Sequence, residues 1–309
     1  MTALAGGTAP LEVSSPDGRS LMVACDLDRT LIYSANSMAS KCSDSAAPLL
    51  VVAEVYEGAP LSFMTRTAWN VLECLVQDAI FVPVTTRTVQ QFRRVNIPGR
   101  DQGYAVTTNG AVLLQDGVPD PEWAELIQAN IRINCAPLQE VHAYVLGSSR
   151  PPAILRGRVA EDVFVYCIVK REELSAGYLE DLSGWCQERG WTTSLQGRKL
   201  YLVPSPVTKE AALAEVRRRQ PVDMLVAAGD SKLDAGMLQL ADLAIRPAHG
   251  ELETESFHLQ HLKVTSFSGI MAGEEILRFA SAQNRGHSEL RLANPLGQNG
   301  APTVANAST

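Results

Sequence analysis

The sequence predicts an α/β fold: a Rossmann-like core of parallel strands and crossover helices, with an α+β domain inserted into it. The first observation is that short apolar runs alternate with segments of helical periodicity. The second is that Leu21–Cys25 and Met224–Ala227, two of these runs, lead into clusters of aspartates. The third is a long interruption, residues 114–199, with helix-like and strand-like segments of its own.

Four of the apolar runs are predicted to be core strands, and polar residues follow each of them. Strand ends of this kind are where open α/β sheets bind ligands. The predicted strands and the polar residues that come after them are Leu21–Cys25 with Asp26 and Asp28, Ile80–Val84 with Thr85 and Arg87, Tyr104–Thr107 with Asn109, and Met224–Ala227 with Asp230 and Asp234.

The interruption is long enough, and apolar enough, to form a domain rather than a loop. A shorter excursion, residues 34–64, contains a predicted hairpin around Glu57 and Gly58. Whether that hairpin covers the site or contacts a second subunit is left open. The predicted boundaries are residues 20–113 and 200–283 for the core, 114–199 for the inserted domain, and 1–19 and 284–309 for flexible tails.

The composition is that of an ordinary globular protein and excludes several functional classes. Of 309 residues, 46% are hydrophobic and 20% charged, and the formal net charge is −7. With no sustained basic block, a nucleic-acid partner is not expected. No segment approaches the roughly 20 apolar residues of a membrane span. Six cysteines without a CxxC pair favour free thiols, and we expect a cytoplasmic protein.

Asp26 and Asp28 follow the first predicted strand and form the first acidic cluster. Two carboxylates with different roles suit covalent phosphoryl transfer, in which one is the nucleophile and the other acts first as an acid and then as a base. A simple turn after the strand is the ordinary alternative.

The second acidic cluster, Asp230 and Asp234, supplies the hard oxygen ligands that Mg²⁺ prefers. The ordinary alternative is a helix N-cap followed by a solvated aspartate. Thr85 and the neighbouring backbone N–H groups could hold an anion at a helix start. Lys209 opens a helical segment and would balance the carboxylates around a phosphoryl group.

Taken in order, these motifs closely resemble those of the haloacid dehalogenase superfamily of phosphohydrolases. The position of the insertion resembles members with a C2-type cap, among them Cof-like, sucrose-phosphate and mannosyl-phosphoglycerate phosphatases. The matching residues are Asp26, Asp28 and Thr30 in the first motif, Thr85 in the second, Lys209 in the third, and Gly229, Asp230 and Asp234 in the fourth.

The resemblance implies a mechanism and a set of site residues. Asp26 would attack phosphorus, Asp28 would be the acid and base, and Thr85 and Lys209 would hold the transferring oxygens. Mg²⁺ would be bound by Asp26, Asp28 through its carbonyl, and Asp230, with Asp234 on the metal side ordering the metal's waters. Three residues depart from the usual motifs: Arg29, Thr86 and Leu233.

The resemblance makes a small phosphorylated metabolite, most plausibly a sugar phosphate, the expected substrate of this phosphatase. Candidate substrate contacts are Arg87 and Asn109 in the core and Arg198 and Lys199 near the end of the insertion. Two alternatives stay open. One is a sugar phosphomutase, and the other is a phosphate- or nucleotide-binding protein with vestigial catalysis. The oligomeric state is not predicted.

Overall fold

The computed structural model describes residues 20–39 and 47–292, with side chains described through residue 284. Its centre is a parallel sheet of five strands in the order β15-β14-β13-β1-β5. This arrangement confirms the predicted α/β fold class. The strands are β1 (Leu21–Cys25), β5 (Ile80–Pro83), β13 (Met224–Ala228), β14 (Leu243–Arg246) and β15 (Leu262–Val264).

β1 is an interior strand of this sheet, between β13 and β5, and all of its residues are buried. A parallel strand covered on both faces needs a continuous apolar run, which is why the sequence pattern predicted it. Cys25, its last residue, pairs with Ala228 of β13 and Pro83 of β5. The three strands therefore end level with one another, and the residues that follow them meet at one edge of the sheet.

Helices cover both faces of the core sheet. α1 illustrates why they form: the Thr65 side chain caps it by accepting from the Ala68 N–H at 3.0 Å, and Ala68, Leu72 and Leu75 make its buried face. The core helices are α1 (Arg66–Asp78), α2 (Val89–Phe92), α6 (Lys209–Arg219), α7 (Ala235–Leu240), α8 (Glu251–Thr254) and α9 (Ile270–Leu292).

Two small antiparallel sheets extend the core. One is the predicted hairpin, joined by a short strand in the order β2-β4-β3. The other has the order β6-β7-β8 and contacts the end of β5 through a parallel bridge between Val84 and Val106. Their strands are β2 (Tyr33–Ser34), β3 (Leu50–Tyr56), β4 (Ala59–Thr65), β6 (Tyr104–Thr107), β7 (Val112–Gln115) and β8 (Val118–Pro119).

The inserted domain is a four-stranded antiparallel sheet in the order β11-β12-β10-β9 with three helices. Buried residues of this domain, such as Phe164 and Leu182, continue the cluster that covers one face of the core sheet around Met22. The elements are α3 (Pro121–Asn134), α4 (Leu138–Leu146), β9 (Ile154–Ala160), β10 (Phe164–Val169), α5 (Ala176–Gln187), β11 (Trp191–Gln196) and β12 (Lys199–Pro204).

Several element bounds differ from the sequence expectation. β12 pairs with β10 and β11, so this strand continues the inserted sheet beyond residue 199, where the core was expected to resume. α9 extends to Leu292, beyond the expected start of a tail at residue 284.

Residues 1–19 and 293–309 lie outside the described residues, as does Cys42. In the described part of the chain, Cys25, Cys74, Cys135, Cys167 and Cys186 are free thiols, and no helix has the length and apolar character needed to cross a membrane.

Candidate active site

Lys209 lies at the centre of the site and connects the two acidic clusters. Its Nζ donates to Oδ1 of Asp26 and to Oδ1 of Asp234, each at 2.6 Å. The side chain is fully buried, and Lys209 is the first residue of α6, whose N-cap is Thr208. Only these buried carboxylates make such a position tolerable for an ammonium group.

Asp234 is held rigidly by the turn that carries it. Its Oδ2 accepts from the backbone N–H groups of Asp230 and Ser231 at 3.1 and 2.9 Å and from the Ser231 hydroxyl at 2.7 Å. Gly229 has to lack a side chain here, since a Cβ on it would lie 2.4 Å from the Cβ of Asp234. The glycine and aspartates of the fourth motif therefore form one compact turn at the end of β13.

Carboxylate oxygens of Asp26, Asp230 and Asp234 lie within 4.8 Å of one another. Mg²⁺ takes oxygen ligands and is usually bound through one or two carboxylates together with water and phosphate. The donor set therefore fits the expected metal. The Asp28 carboxylate is not part of this cluster, and the expectation for Asp28 concerned its carbonyl.

The crowding of these buried carboxylates changes their proton affinity. Burial, together with the charge of Asp234, raises the pKa of Asp26 to about 7 despite the opposing effect of Lys209. Burial and the charges of Asp26 and Asp234 likewise raise the pKa of Asp230. Burial would lower the pKa of Lys209, but the same carboxylates raise it above its ordinary value. A bound cation would relieve this excess of negative charge.

Asp28 points to a different partner, Arg87. The guanidinium donates Nε–H to Oδ2 at 2.7 Å and Nη2–H to Oδ1 at 2.8 Å, a bidentate pair. Partial burial would raise the pKa of Asp28, but the charge and hydrogen bonds of Arg87 dominate and hold it well below its ordinary range. In this arrangement Asp28 is ionised, as a general base must be.

Thr85 is buried just after β5, and the preceding residue, Val84, donates to the carbonyl of Cys25 at 2.8 Å. The Thr85 hydroxyl accepts from the Arg87 N–H at 3.2 Å, while the Thr85 N–H donates to the carbonyl of Val106 at 2.8 Å. α2 begins only at Val89. The Thr85 hydroxyl thus remains a candidate phosphate contact. The backbone N–H of Thr85 is not available to a phosphate, because it donates to Val106 and does not lie at the start of a helix.

Asn109 lies in a left-handed turn that packs against the start of α6. Its φ is 57°, and its Nδ2–H donates to the carbonyl of Val207 at 3.0 Å. A Cβ on Gly110 would lie 2.1 Å from the Thr208 carbonyl oxygen, so only glycine permits this approach. The described contacts of Asn109 support the segment before Lys209.

Lys199 and Arg198, the two candidates from the inserted domain, lie in different surroundings. Lys199 lies on the face of the inserted sheet that is turned toward the site. The nearby Tyr201 and Asp28 raise the pKa of Lys199 by more than its desolvation lowers it. Tyr201 also reaches the core, its hydroxyl lying 3.5 Å from that of Thr86. Arg198 lies in the exposed turn before β12.

Two features of the site were not assigned a role from the sequence. The first is Glu54, a buried carboxylate of β3 that accepts from Arg87 Nη1 at 2.8 Å. The second is Arg29, which has a φ of 68° and a guanidinium Nε 3.5 Å from Oδ2 of Asp230. Arg29 was recognisable as a departure from the motif, whereas no local pattern marks Glu54.

No protein-family model and no curated protein matches this sequence. The chain does match solved structures. The sucrose-phosphatase from Synechocystis sp. PCC6803 matches with a TM-score of 0.61 at 14% identity, over 85% of this chain and 98% of that one. Proteins from Thermoplasma acidophilum and Streptococcus mutans each match with a TM-score of 0.51. Their identities are 12% and 16%, and the matches cover 85% and 84% of this chain and 99% and 98% of theirs.

These matches cover the core and the inserted domain together, because they extend over most of this chain and nearly all of each neighbour. The chain therefore has the fold of the haloacid dehalogenase superfamily, with an inserted cap domain.

Proposed function

We propose that the protein is a Mg²⁺-dependent phosphomonoester hydrolase that works through an aspartyl-phosphate on Asp26. The observation that carries this proposal is the position of Asp26, which Lys209 holds at 2.6 Å next to Asp230 and Asp234. A carboxylate at a strand end, restrained by a cation and flanked by metal-ligating groups, is equipped for nucleophilic attack on a phosphate.

In the first half of the reaction an oxygen of Asp26 forms a bond to phosphorus, and the bond between phosphorus and the leaving oxygen breaks. The proton that the leaving oxygen receives comes from Asp28, which Arg87 holds ionised in the free protein and which therefore has to take up a proton from solvent before this step. In the second half Asp28, now ionised, takes a proton from water, which attacks phosphorus and releases Asp26. Lys209 and the Thr85 hydroxyl hold the transferring oxygens.

Bound Mg²⁺ would be held by Asp26, the carbonyl of Asp28 and Asp230, with Asp234 ordering its waters, and would neutralise charge on the phosphoryl oxygens. Its role explains how an acidic protein could accept an anionic substrate. Lys209 supplies the fixed positive charge that remains when the metal leaves.

The contacts between cap and core support a small substrate. At one end of the cap sheet, Glu161 accepts from the Val89 N–H at 2.8 Å and from the Thr108 hydroxyl at 2.5 Å. On the opposite edge strand, the Ser194 hydroxyl donates to Glu251 at 3.1 Å. Because the cap contacts the core at both edges of its sheet, the site favours a small metabolite over a macromolecule.

Within that class we favour a sugar phosphate. Tyr166, Lys199 and Tyr201 share one face of the cap sheet, because Tyr166 pairs with Tyr201 and Ile168 with Lys199 across β10 and β12. The Tyr201 hydroxyl lies 3.5 Å from that of Thr86, so this face is turned toward the site. Hydroxyl groups and an ammonium group suit a polyhydroxylated anion. The likeness to a sucrose-phosphatase bound to sucrose and phosphate points in the same direction, although fold alone does not determine substrate.

The deciding experiment is a phosphate-release screen of the purified protein with Mg²⁺ over sugar phosphates, phosphoglycerates and nucleotides. The matched control is Asp26→Asn, which should release none. Conversion of a sugar phosphate into its isomer with little free phosphate would indicate a phosphomutase instead. Absence of turnover across the whole panel would favour a phosphate-binding protein without catalysis.

A further inference from the structure

Glu54 is a fully buried carboxylate on the hairpin, outside the four motifs. The side chain turns inward where β3 is irregular: its pairing with β4 shifts register on both sides of Glu54. Both carboxylate oxygens have cationic partners. Oε2 accepts from Arg87 Nη1 at 2.8 Å, and Oε1 accepts from Arg94 Nε at 3.0 Å.

Arg87 joins Glu54 to Asp28. The guanidinium is planar, so fixing Nη1 on Glu54 also fixes the direction in which Nε and Nη2 point. Those two nitrogens donate to Asp28 at 2.7 and 2.8 Å. Glu54 and Asp28 therefore occupy different nitrogens of one buried guanidinium, whose side chain is only 10% exposed.

Arg94 completes the arrangement. Arg94 lies next to Glu54 and stacks on Tyr56, which belongs to β3 as Glu54 does. The guanidinium carbon of Arg94 is 4.6 Å from the centroid of the Tyr56 ring. Two arginines and two carboxylates thus balance in charge across the hairpin and the core. Each arginine of the pair has a carboxylate partner, which is the condition for burying such charges.

We propose that Glu54 is a positioning residue for the reaction: through Arg87 it fixes the carboxylate of Asp28, the acid and base of the hydrolysis. This inference rests on the proposed function and assigns a role to the excursion that the sequence left open. A general acid has to lie within hydrogen-bond reach of the leaving oxygen. An error of about 1 Å in such a group can cost on the order of a hundredfold in rate.

The test compares Glu54→Gln with wild type on two probes, p-nitrophenyl phosphate and glucose 6-phosphate. A nitrophenolate leaves with little help from an acid, whereas a sugar alkoxide needs a proton. We expect Glu54→Gln to lower kcat on glucose 6-phosphate by roughly 10- to 100-fold and to affect p-nitrophenyl phosphate much less. The control is Glu57→Gln, an exposed change at the tip of the same hairpin, which should leave both rates unchanged.

A double-mutant cycle separates positioning from general damage to the fold. In an Asp28→Asn background, adding Glu54→Gln should lower the remaining rate by less than about twofold, because the group it positions is already gone. Equal losses on both probes, or a full loss in both backgrounds, would overturn the proposal. Glu54→Asp retains the buried charge but withdraws it from Arg87, and gives the same test if Glu54→Gln does not fold.

Crystal structures make the inference testable apart from activity. In Glu54→Gln, Arg87 should no longer hold both oxygens of Asp28. If both contacts persist at their present lengths, the positioning role is wrong even for an active phosphatase. If wild type hydrolyses no phosphate ester while Arg87 does release Asp28 in the variant, the proposed function fails and the positioning relationship stands.

Discussion

The ammonium nitrogen of Lys209 lies 2.6 Å from Oδ1 of Asp26, although 183 residues separate the two in the chain. The same nitrogen lies 2.6 Å from Oδ1 of Asp234. The start of α6 thus connects the residues that follow β1 and β13, two neighbouring interior strands of the core sheet. Because Lys209 is fully buried, its charge is the fixed internal counterion for both carboxylates.

We therefore expect Lys209→Met to affect stability as well as activity. Removing one partner of a buried ion pair leaves charges without compensation and typically costs about 3–5 kcal/mol. Urea unfolding of metal-free protein should detect this loss, and phosphate release should fall by several orders of magnitude. Lys263→Met is the matched control, since Lys263 is half-exposed in a loose 3.7 Å pair with Glu275 and should change stability by under about 1 kcal/mol. A Lys209 variant as stable as this control would contradict the prediction.

Asp26→Asn, in contrast, should abolish activity without reducing the stability of the metal-free protein. Loss of the nucleophile should reduce turnover by several orders of magnitude. The pKa of Asp26 is raised to about 7 in the folded protein, against roughly 4 for an ordinary aspartate. As pH rises through this window the unfolded chain releases a proton that the folded protein retains, so wild type loses stability.

Asparagine has no proton to lose, so metal-free Asp26→Asn should escape this decline. At pH 7 it should be at least as stable as wild type, and its advantage over wild type should be smaller at pH 4.5. Denaturant unfolding at pH 4.5 and pH 7, with chelator present, measures the difference. Asp78→Asn, on the exposed end of α1, is the control. A destabilisation of more than about 1 kcal/mol at pH 7 would show that the Asp26 carboxylate is needed for the fold.

Metal dependence follows from the three carboxylates that lie within 4.8 Å of one another. Exhaustive chelation should abolish phosphate release, and added Mg²⁺ should restore it. A ligand that binds only the folded state also raises its stability, by about 2.7 kcal/mol at a concentration of 100 Kd. The Tm of wild type should therefore rise with Mg²⁺, while that of Asp230→Asn should rise much less. Unchanged turnover after chelation would refute a metal-dependent mechanism.

The core and most of the candidate site were predictable because local patterns encode them. β1 and β13 are buried on both faces, so each is a continuous apolar run in the sequence. The catalytic candidates sit directly after such runs, or open a helix as Lys209 does. Strand ends and helix starts can be located from neighbouring residues alone.

The features that escaped prediction depend on contacts between distant residues. Glu54 becomes buried because irregular pairing in β3 turns it toward Arg87, which lies 33 residues away. β12 resembles a core strand in sequence, and only its pairing with β10 and β11 assigns it to the cap sheet. β9 carries two arginines and a glycine, so it lacks the apolar pattern of a buried strand.

Lys199 is the cap residue for which we expect the clearest effect on substrate binding. It is a cation on the cap face above the site, close enough to Asp28 for the two charges to interact. If it contacts the substrate in the ground state and the transition state alike, Lys199→Met should raise KM about tenfold, which corresponds to about 1.4 kcal/mol, and leave kcat within about threefold. Steady-state kinetics on the best substrate of the screen measures both constants.

The matched control is Lys170→Met, because Lys170 belongs to the same domain but pairs with Glu173 on the exposed surface. This variant should have wild-type KM and kcat. Arg198→Met adds a second comparison: its side chain lies in the exposed turn beside Lys199, and we expect a smaller rise in KM. A KM for Lys199→Met equal to that of Lys170→Met would remove Lys199 from the substrate site. A fall in kcat without a rise in KM would instead mean that Lys199 acts on Asp28 and the chemical step.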